Sequence, residues 1–210
     1  MEKQDLTKYI IRVVLILGAV IAIIAIYLLV AIQTPKKPLT GQGSNINEDV
    51  QIGGSFELVD QNGEVLNSDS LKGRPSLIYF GFTYCPDVCP TSLQKLTQVM
   101  NTLDKYRINV TPVFITIDPQ RDTSKVLKEY LQHFYPKFIG LTGSDKQIKQ
   151  VADKFKVYYA RAQNPNYQNN YMIDHSSFIY LMDKNGKYLK HFYLKTPPEE
   201  IIEYIRVNCR

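Results

Sequence analysis

Two cysteines separated by three residues, Cys85 and Cys89, constrain the fold of this chain more than any other feature. An apolar run typical of a buried strand, residues 77–82, precedes them, and a run with helical spacing of its apolar residues follows them. A helix that begins near Cys89 or Pro90 would bring both sulfurs to its positive end, where free N–H groups and the helix dipole favour thiolates. Because thiolates are soft ligands and good nucleophiles, the pair indicates either a soft-metal site or a site of disulfide exchange.

A purely structural disulfide is the third interpretation of this pair. It would close too short a loop to stabilise the protein much. Cys209 is left over near the C-terminus, so the three cysteines do not form a framework of structural disulfides.

An uncharged apolar segment lies near the start of the chain. Residues 13–32 contain no charged side chain, and a helix of that length spans about 30 Å, one hydrocarbon core. The segment is longer than the apolar stretch of a cleaved signal peptide, and no convincing cleavage site follows it. We therefore predict one transmembrane anchor over residues 13–32, preceded by a cytoplasmic N-terminus of residues 1–12.

The basic residues around this segment suggest its orientation. Lys3, Lys8 and Arg12 precede it, whereas only Lys36 and Lys37 follow it. Cytoplasmic flanks carry the excess of Lys and Arg, which places the C-terminal part outside the cytoplasm. The first residues also include acidic groups, unlike a mitochondrial transit peptide. We expect a protein of the bacterial inner membrane whose C-terminal domain lies in the periplasm.

The rest of the chain divides into a tether and one domain. Residues 33–50 are rich in proline, glycine and polar side chains, which indicates a flexible tether. Residues 51–210 are long enough for one globular domain. The net charge of +5 is spread along the chain rather than gathered in a basic stripe, so nothing indicates a nucleic-acid partner.

The order of predicted elements indicates an α/β fold with a mixed central sheet. We predict hairpins over residues 55–67 and 178–193, each closed by an Asn-Gly turn; strands at 77–82, 110–117 and 138–141; and helices after the cysteines and at 124–134, 144–155 and 197–207. Reactive cysteines between the first core strand and its helix suggest a thioredoxin-like layout.

A third donor for a metal would have to come from a histidine. His133 and His191 lie in ordinary surface or half-buried positions of a helix and a hairpin. His175 lies where a loop enters the apolar run 178–182, so it can either point into a site or simply form loop hydrogen bonds. Two thiolates and one imidazole suit copper as Cu(I) or Cu(II). Zinc accepts the same atoms but usually needs a fourth ligand, which the sequence does not offer.

Three stretches together resemble the signature motifs of the SCO/SenC family. They are residues 82–90 with the pattern Cys-x3-Cys-Pro, residues 117–122 (Ile-Asp-Pro-Gln-Arg-Asp) and residues 174–176 (Asp-His-Ser). The resemblance, which extends over about residues 53–205, implies a membrane-anchored, thioredoxin-like copper protein that assists cytochrome c oxidase assembly. It also implies that Cys85, Cys89 and His175 are the copper ligands and that Asp118 is a supporting residue. From the residues alone, Asp118 could equally end a strand, and Asp122 or Thr123 could cap the next helix.

The resemblance predicts a copper metallochaperone rather than an enzyme. Its acceptor would be the copper centre of cytochrome c oxidase subunit II, with other copper chaperones or thiol reductases as further partners. The alternative is a thiol–disulfide oxidoreductase, with Cys85 and Cys89 as catalytic residues, that keeps the acceptor's cysteines reduced; a peroxidase is a weaker third. His175 discriminates between the first two, because thiol exchange needs only the thiols.

Overall fold

The computed structural model describes residues 51–162 and 171–209, together with residues 15, 17–20, 23–24 and 26–27. Contacts between Cα atoms divide the chain into two compact units, Met1–Asp49 and Val50–Arg210.

The described residues of the first unit are helical, and their large apolar side chains are exposed. In the described part of the chain, no helix is both long and apolar enough to cross a membrane. The predicted N-terminal segment 1–12 and tether 33–50 lie outside the described residues. The predicted anchor over residues 13–32 lies largely outside them, so all three remain predictions.

The described residues of the second unit form nine strands: β1 (Glu57–Asp60), β2 (Val65–Asn67), β3 (Ser76–Gly81), β4 (Thr111–Thr116), β5 (Ile139–Thr142), β6 (Tyr159–Arg161), β7 (Ile173–His175), β8 (Ile179–Met182) and β9 (Tyr188–Phe192). Seven of them form one sheet in the order β2-β1-β5-β4-β3-β8-β9. Strands β3, β4 and β5 pair in parallel, and the outer strands pair antiparallel, so the predicted mixed sheet is confirmed. Strands β6 and β7 form a separate antiparallel ribbon.

Within residues 51–162 and 171–209, four α-helices accompany the sheet: α1 (Val88–Lys105), α2 (Ser124–Leu131), α3 (Asp145–Lys154) and α4 (Pro198–Asn208). A short 3-10 helix spans Ser68–Leu71. Local sequence explains the helix starts. The Ser144 hydroxyl caps α3 and Gln147 completes a capping box, while α4 begins with proline, which is favoured in a first turn.

The core of this unit lies around β3 and β4. All six residues of each strand are buried, which requires cover on both faces of the sheet and explains why the middle of each strand is apolar. Three aromatic rings, those of Phe80, Phe155 and Tyr180, pack together with centroid separations of 5.3–5.9 Å. The loop that carries Cys85 therefore starts from a fully buried strand.

The structure corrects two details of the sequence interpretation and decides between the two helix caps that it left open. The helix predicted over 124–134 ends at Leu131. Its cap is Thr123, whose hydroxyl accepts the N–H of Val126, and Asp122 has a different role described below. His175 is the last residue of β7 rather than a loop residue. The ribbon was not predicted because its two short strands are far apart in sequence.

Candidate metal centre

Cys85 caps the start of α1. The helix begins at Val88, and the N-cap residue Asp87 makes no side-chain capping bond. The Cys85 sulfur takes that role by accepting the N–H of Cys89 at 3.4 Å. A sulfur in this position is close to the positive end of the helix, as the sequence predicted, and is stabilised there as a thiolate.

Cys89 is enclosed by the core. Its side chain has no exposed surface, whereas Cys85 is partly exposed. The sulfur lies beside Gly81, where a Cβ atom would come within 2.8 Å of it. The hydroxyl of Tyr79 donates a hydrogen bond to the same sulfur over 3.7 Å. The end of β3 thus fixes the position of the second thiol.

His175 approaches Cys89 from the ribbon. Its Nε2 lies 3.7 Å from the Cys89 sulfur, and its Nδ1 lies 3.0 Å from the carbonyl oxygen of Ser176. A carbonyl can only accept, so Nδ1 carries the proton of this contact, and the tautomer that it defines presents the lone pair of Nε2 to the sulfur. The rings of Phe82 and Tyr79 meet the imidazole edge-on, with centroids 5.9 and 6.4 Å away. This is the orientation that a metal-ligating histidine needs.

The environment gives the two thiols different acidities. A hydrogen bond from the Cys89 side chain and another from the Cys89 backbone N–H lower the pKa of Cys85 well below that of an ordinary thiol. The same sulfur-to-sulfur hydrogen bond, together with burial, raises the pKa of Cys89. At neutral pH the partly exposed sulfur is therefore the thiolate, and the buried sulfur holds the proton.

The structure thus places both Cys85 and His175 in contact with Cys89, the first through the Cys89 N–H and the second through the Cys89 sulfur. Among the described residues, however, no group of three His, Cys, Asp or Glu side chains is close enough together to count as a formed metal site. The donors suit a soft metal in kind, since they are two sulfurs and one imidazole nitrogen. Binding one ion with all three would require the side chains to draw closer.

Asp118 supports the ribbon rather than the thiols directly. This carboxylate is almost completely buried at the end of β4, where it forms an ion pair with Arg121 and accepts a hydrogen bond from the Tyr171 hydroxyl. Tyr171 is also covered by the Arg121 guanidinium, 3.8 Å from its ring centroid. Tyr171 lies four residues before His175, so Asp118 holds the segment that positions the imidazole.

Asp122 was not recognised from the sequence as part of the site. Its buried carboxylate accepts hydrogen bonds from the N–H and hydroxyl of Thr83, at 3.0 and 2.6 Å, and from the hydroxyl of Thr116 at 2.7 Å. Burial raises the pKa of this carboxyl, and these hydrogen bonds oppose the rise. Thr83 lies two residues before Cys85, so Asp122 fixes the loop that carries the first thiol.

The remaining candidate residues lie elsewhere. His133 is exposed beyond the end of α2, and His191 is held in an aromatic cluster by Tyr188, whose hydroxyl lies 2.6 Å from its Nδ1. Cys209 is a free, partly buried thiol directly after α4. Burial and the nearby Asp183 raise its pKa. None of these residues contacts the two site thiols.

Comparison with known proteins gives one consistent family. The SCO1/SenC family profile matches residues 44–209. The SCO2-like protein of Rickettsia felis is 59% identical over 199 residues, covering 95% of this chain and 97% of the relative.

Solved structures agree. That of Bradyrhizobium japonicum ScoI with copper bound is 42% identical and superposes with a TM-score of 0.68, covering 74% of this chain and 98% of that one. BsSco, described as a member of the Sco family of cytochrome c oxidase assembly proteins with a disulfide switch, is 29% identical with a TM-score of 0.59, covering 74% and 92%.

Proposed function

Because the chain belongs to the SCO1/SenC family, we propose that it is a copper-binding factor for cytochrome c oxidase assembly. Copper is the cargo of this protein, and we propose Cys85, Cys89 and His175 as its ligands. The observation that carries the proposal is the contact between the Nε2 lone pair of His175 and the buried sulfur of Cys89, with the Cys85 thiolate beside it.

This set of donors is suited to delivery as well as to binding. The chain offers three donors rather than a closed shell of four or more, so an incoming thiolate of the acceptor can attach before the old ligands leave. Cys85 is partly exposed, while Cys89 and His175 approach from the interior and the ribbon. The acceptor would therefore approach from the Cys85 side. We propose that the acceptor is the copper centre of oxidase subunit II.

We also propose the location that the sequence predicts. An anchor over residues 13–32 would hold the domain at the bacterial inner membrane, with the tether over residues 33–50 leading to a domain in the periplasm. The exposed apolar side chains at positions 15, 17, 20, 23, 24, 26 and 27 support this proposal, because they are suited to a lipid environment.

A second function is favoured by the different acidities of the thiols. The Cys85 thiolate could attack a disulfide of the acceptor, releasing one acceptor sulfur as a thiolate that takes up a proton. Cys89 would then lose its proton and attack Cys85, releasing the second acceptor sulfur. The acceptor would gain two electrons and two protons, and this chain would be left with a Cys85–Cys89 disulfide that an external thiol reductant must reopen.

Substitution of His175 separates these two functions. We expect His175→Ala to lower copper content strongly, with Cu(II) affected most because it prefers nitrogen donors and more ligands. If the function is copper delivery, oxidase assembly should fail in this variant almost as completely as in Cys85→Ser. If the function is thiol exchange, oxidase assembly should survive His175→Ala and fail in Cys89→Ser.

The measurements are metal analysis of the purified, reduced protein and oxidase activity in cells that carry each variant. His133→Ala is the matched control, since it removes an exposed imidazole away from the thiols and should match the wild type in both. Copper binding by His175→Ala equal to that of the wild type would overturn the ligand assignment.

A further inference from the structure

Tyr79 is a buried residue of β3 that the proposed copper chemistry does not yet use. Its side chain is completely enclosed, and its ring lies 6.3 Å from that of Phe114 and 6.4 Å from that of His175. Within this packing, the hydroxyl cannot turn toward solvent. A buried hydroxyl needs a hydrogen-bond acceptor, because leaving its proton unpaired is costly.

The acceptor for the Tyr79 proton is the Cys89 sulfur, 3.7 Å away. Ser92 also lies beside the tyrosine hydroxyl, but its own proton is donated to the carbonyl oxygen of Val88 at 2.8 Å. Among the described residues, the hydrogen bond that the Tyr79 hydroxyl donates goes to the sulfur. Tyr79 touches two proposed donors at once, Cys89 through its hydroxyl and His175 through its ring.

We propose that Tyr79 is a positioning residue that holds the Cys89 sulfur by a hydrogen bond and limits the electron density that this sulfur donates to copper. The inference rests on the proposed function, because it assigns Cys89 as a ligand. Hydrogen bonds to a ligating sulfur tune the electronic structure and reduction potential of a metal centre. A donor to sulfur stabilises its lone pairs and favours the more reduced metal, which here is Cu(I).

Tyr130 provides a matched control in the same cluster. Its ring lies 6.0 Å from that of Phe114. Its hydroxyl is buried and has no hydrogen-bond partner among the described residues. Tyr79→Phe and Tyr130→Phe each remove one buried hydroxyl from a ring that packs near Phe114. Only Tyr79→Phe also removes a hydrogen bond to sulfur.

The first test uses copper spectroscopy of the full chain. In Tyr79→Phe loaded with Cu(II), we expect the sulfur-to-copper charge-transfer band to move to longer wavelength and the Cu(II)/Cu(I) potential to fall, because the sulfur donates more strongly. Tyr130→Phe should match the wild type in both quantities. Circular dichroism should show the same fold for all three proteins. Spectra and potentials of Tyr79→Phe that match the wild type would overturn the proposal.

The second test uses no copper and so separates this inference from the proposed function. In a Cys209→Ser background, the infrared S–H stretching band of the reduced protein reports on the protonated site thiol. Tyr79→Phe should shift this band, and Tyr130→Phe should not. A band that stays unchanged in Tyr79→Phe would show that the hydrogen bond is absent. If the band moves but the wild type binds no copper, the hydrogen bond stands and the copper assignment fails.

Discussion

The two thiols of Cys85-Pro-Asp-Val-Cys89 differ because a short loop gives them opposite environments. Cys85 takes the place of a helix cap and gains stabilising hydrogen bonds from the Cys89 side chain and from the Cys89 N–H. Cys89 is enclosed by Tyr79 and Gly81. The exposed sulfur is thus the one that is ionised. This arrangement suits both a ligand that meets an incoming acceptor and a nucleophile that begins disulfide exchange.

Alkylation of the reduced chain tests this difference in acidity. Because the pKa of Cys85 is lowered, its thiolate persists as the pH falls, so its alkylation rate should change little between about pH 8 and pH 6. Burial raises the pKa of Cys209, so its rate should fall by roughly tenfold per pH unit in the same range. Mass spectrometry after iodoacetamide treatment would follow both sites in one sample. A parallel fall in the two rates would contradict the thiolate assignment.

The candidate ligands could be predicted from the sequence because soft donors are rare and their spacing is specific. Tyr79, Gly81 and Asp122 could not be predicted in the same way. The first two lie in an apolar strand and look like ordinary core residues until the fold brings Cys89 against them. Asp122 follows a strand and precedes a helix, so a cap was the simpler interpretation of its position. Only the contact with Thr83, distant in sequence, reveals its role.

At the scale of elements, the site depends on how closely β3 approaches α1. Gly81 ends the strand, and a Cβ atom there would lie 2.8 Å from the Cys89 sulfur, 2.9 Å from the Tyr79 ring and 3.0 Å from the Phe114 ring. These distances leave no room for a methyl group without moving the sulfur or the rings. The missing side chain of Gly81 therefore sets the depth at which the second thiol is buried.

We expect Gly81→Ala to lower stability by about 1–3 kcal/mol through overpacking and to weaken copper binding by displacing the sulfur. Gly140→Ala is the matched control, because Gly140 is a glycine of the same sheet whose added Cβ would meet the Leu131 side chain at 2.4 Å, away from the thiols. It should lower stability without changing copper affinity. Thermal unfolding and competition with a Cu(I) chelator measure the two effects. Wild-type copper affinity in Gly81→Ala would contradict the role given to this glycine.

The central strands and the helices could be predicted because their patterns are local. The ribbon that carries His175 could not, since Tyr159 pairs with His175 across a gap in sequence and each strand has three residues. Short strands carry too few residues to show a period of two. The resemblance to the SCO/SenC family predicted His175 as a site residue. The pairing of β6 with β7 explains how this residue is held next to Cys89.

At the scale of the whole molecule, an uncharged segment near the N-terminus precedes a domain that carries its reactive thiols beyond the C-terminal end of the interior strand β3. If residues 13–32 span the membrane, the tether over residues 33–50 determines how far the thiols can reach. A flexible chain of this length has a root-mean-square span of roughly 20 Å, so the domain would stay close to the membrane surface. This proximity would favour an acceptor that is itself a membrane protein.

Reporter fusions test this organisation. The flanking basic residues predict a cytoplasmic N-terminus, so a phosphatase that is active only in the periplasm should be active when fused after Gly43. The same reporter fused after Lys8 should be inactive, because that position lies before the segment, and a reporter that works only in the cytoplasm should show the reverse pattern. Deletion of residues 2–32 should abolish the periplasmic activity of the Gly43 fusion, since the segment is then no longer available for export. Activity of the cytoplasmic reporter after Gly43 in the intact chain would contradict the predicted orientation. Cys85 and Cys89 would then lie in a reducing compartment, where their thiols would meet different partners.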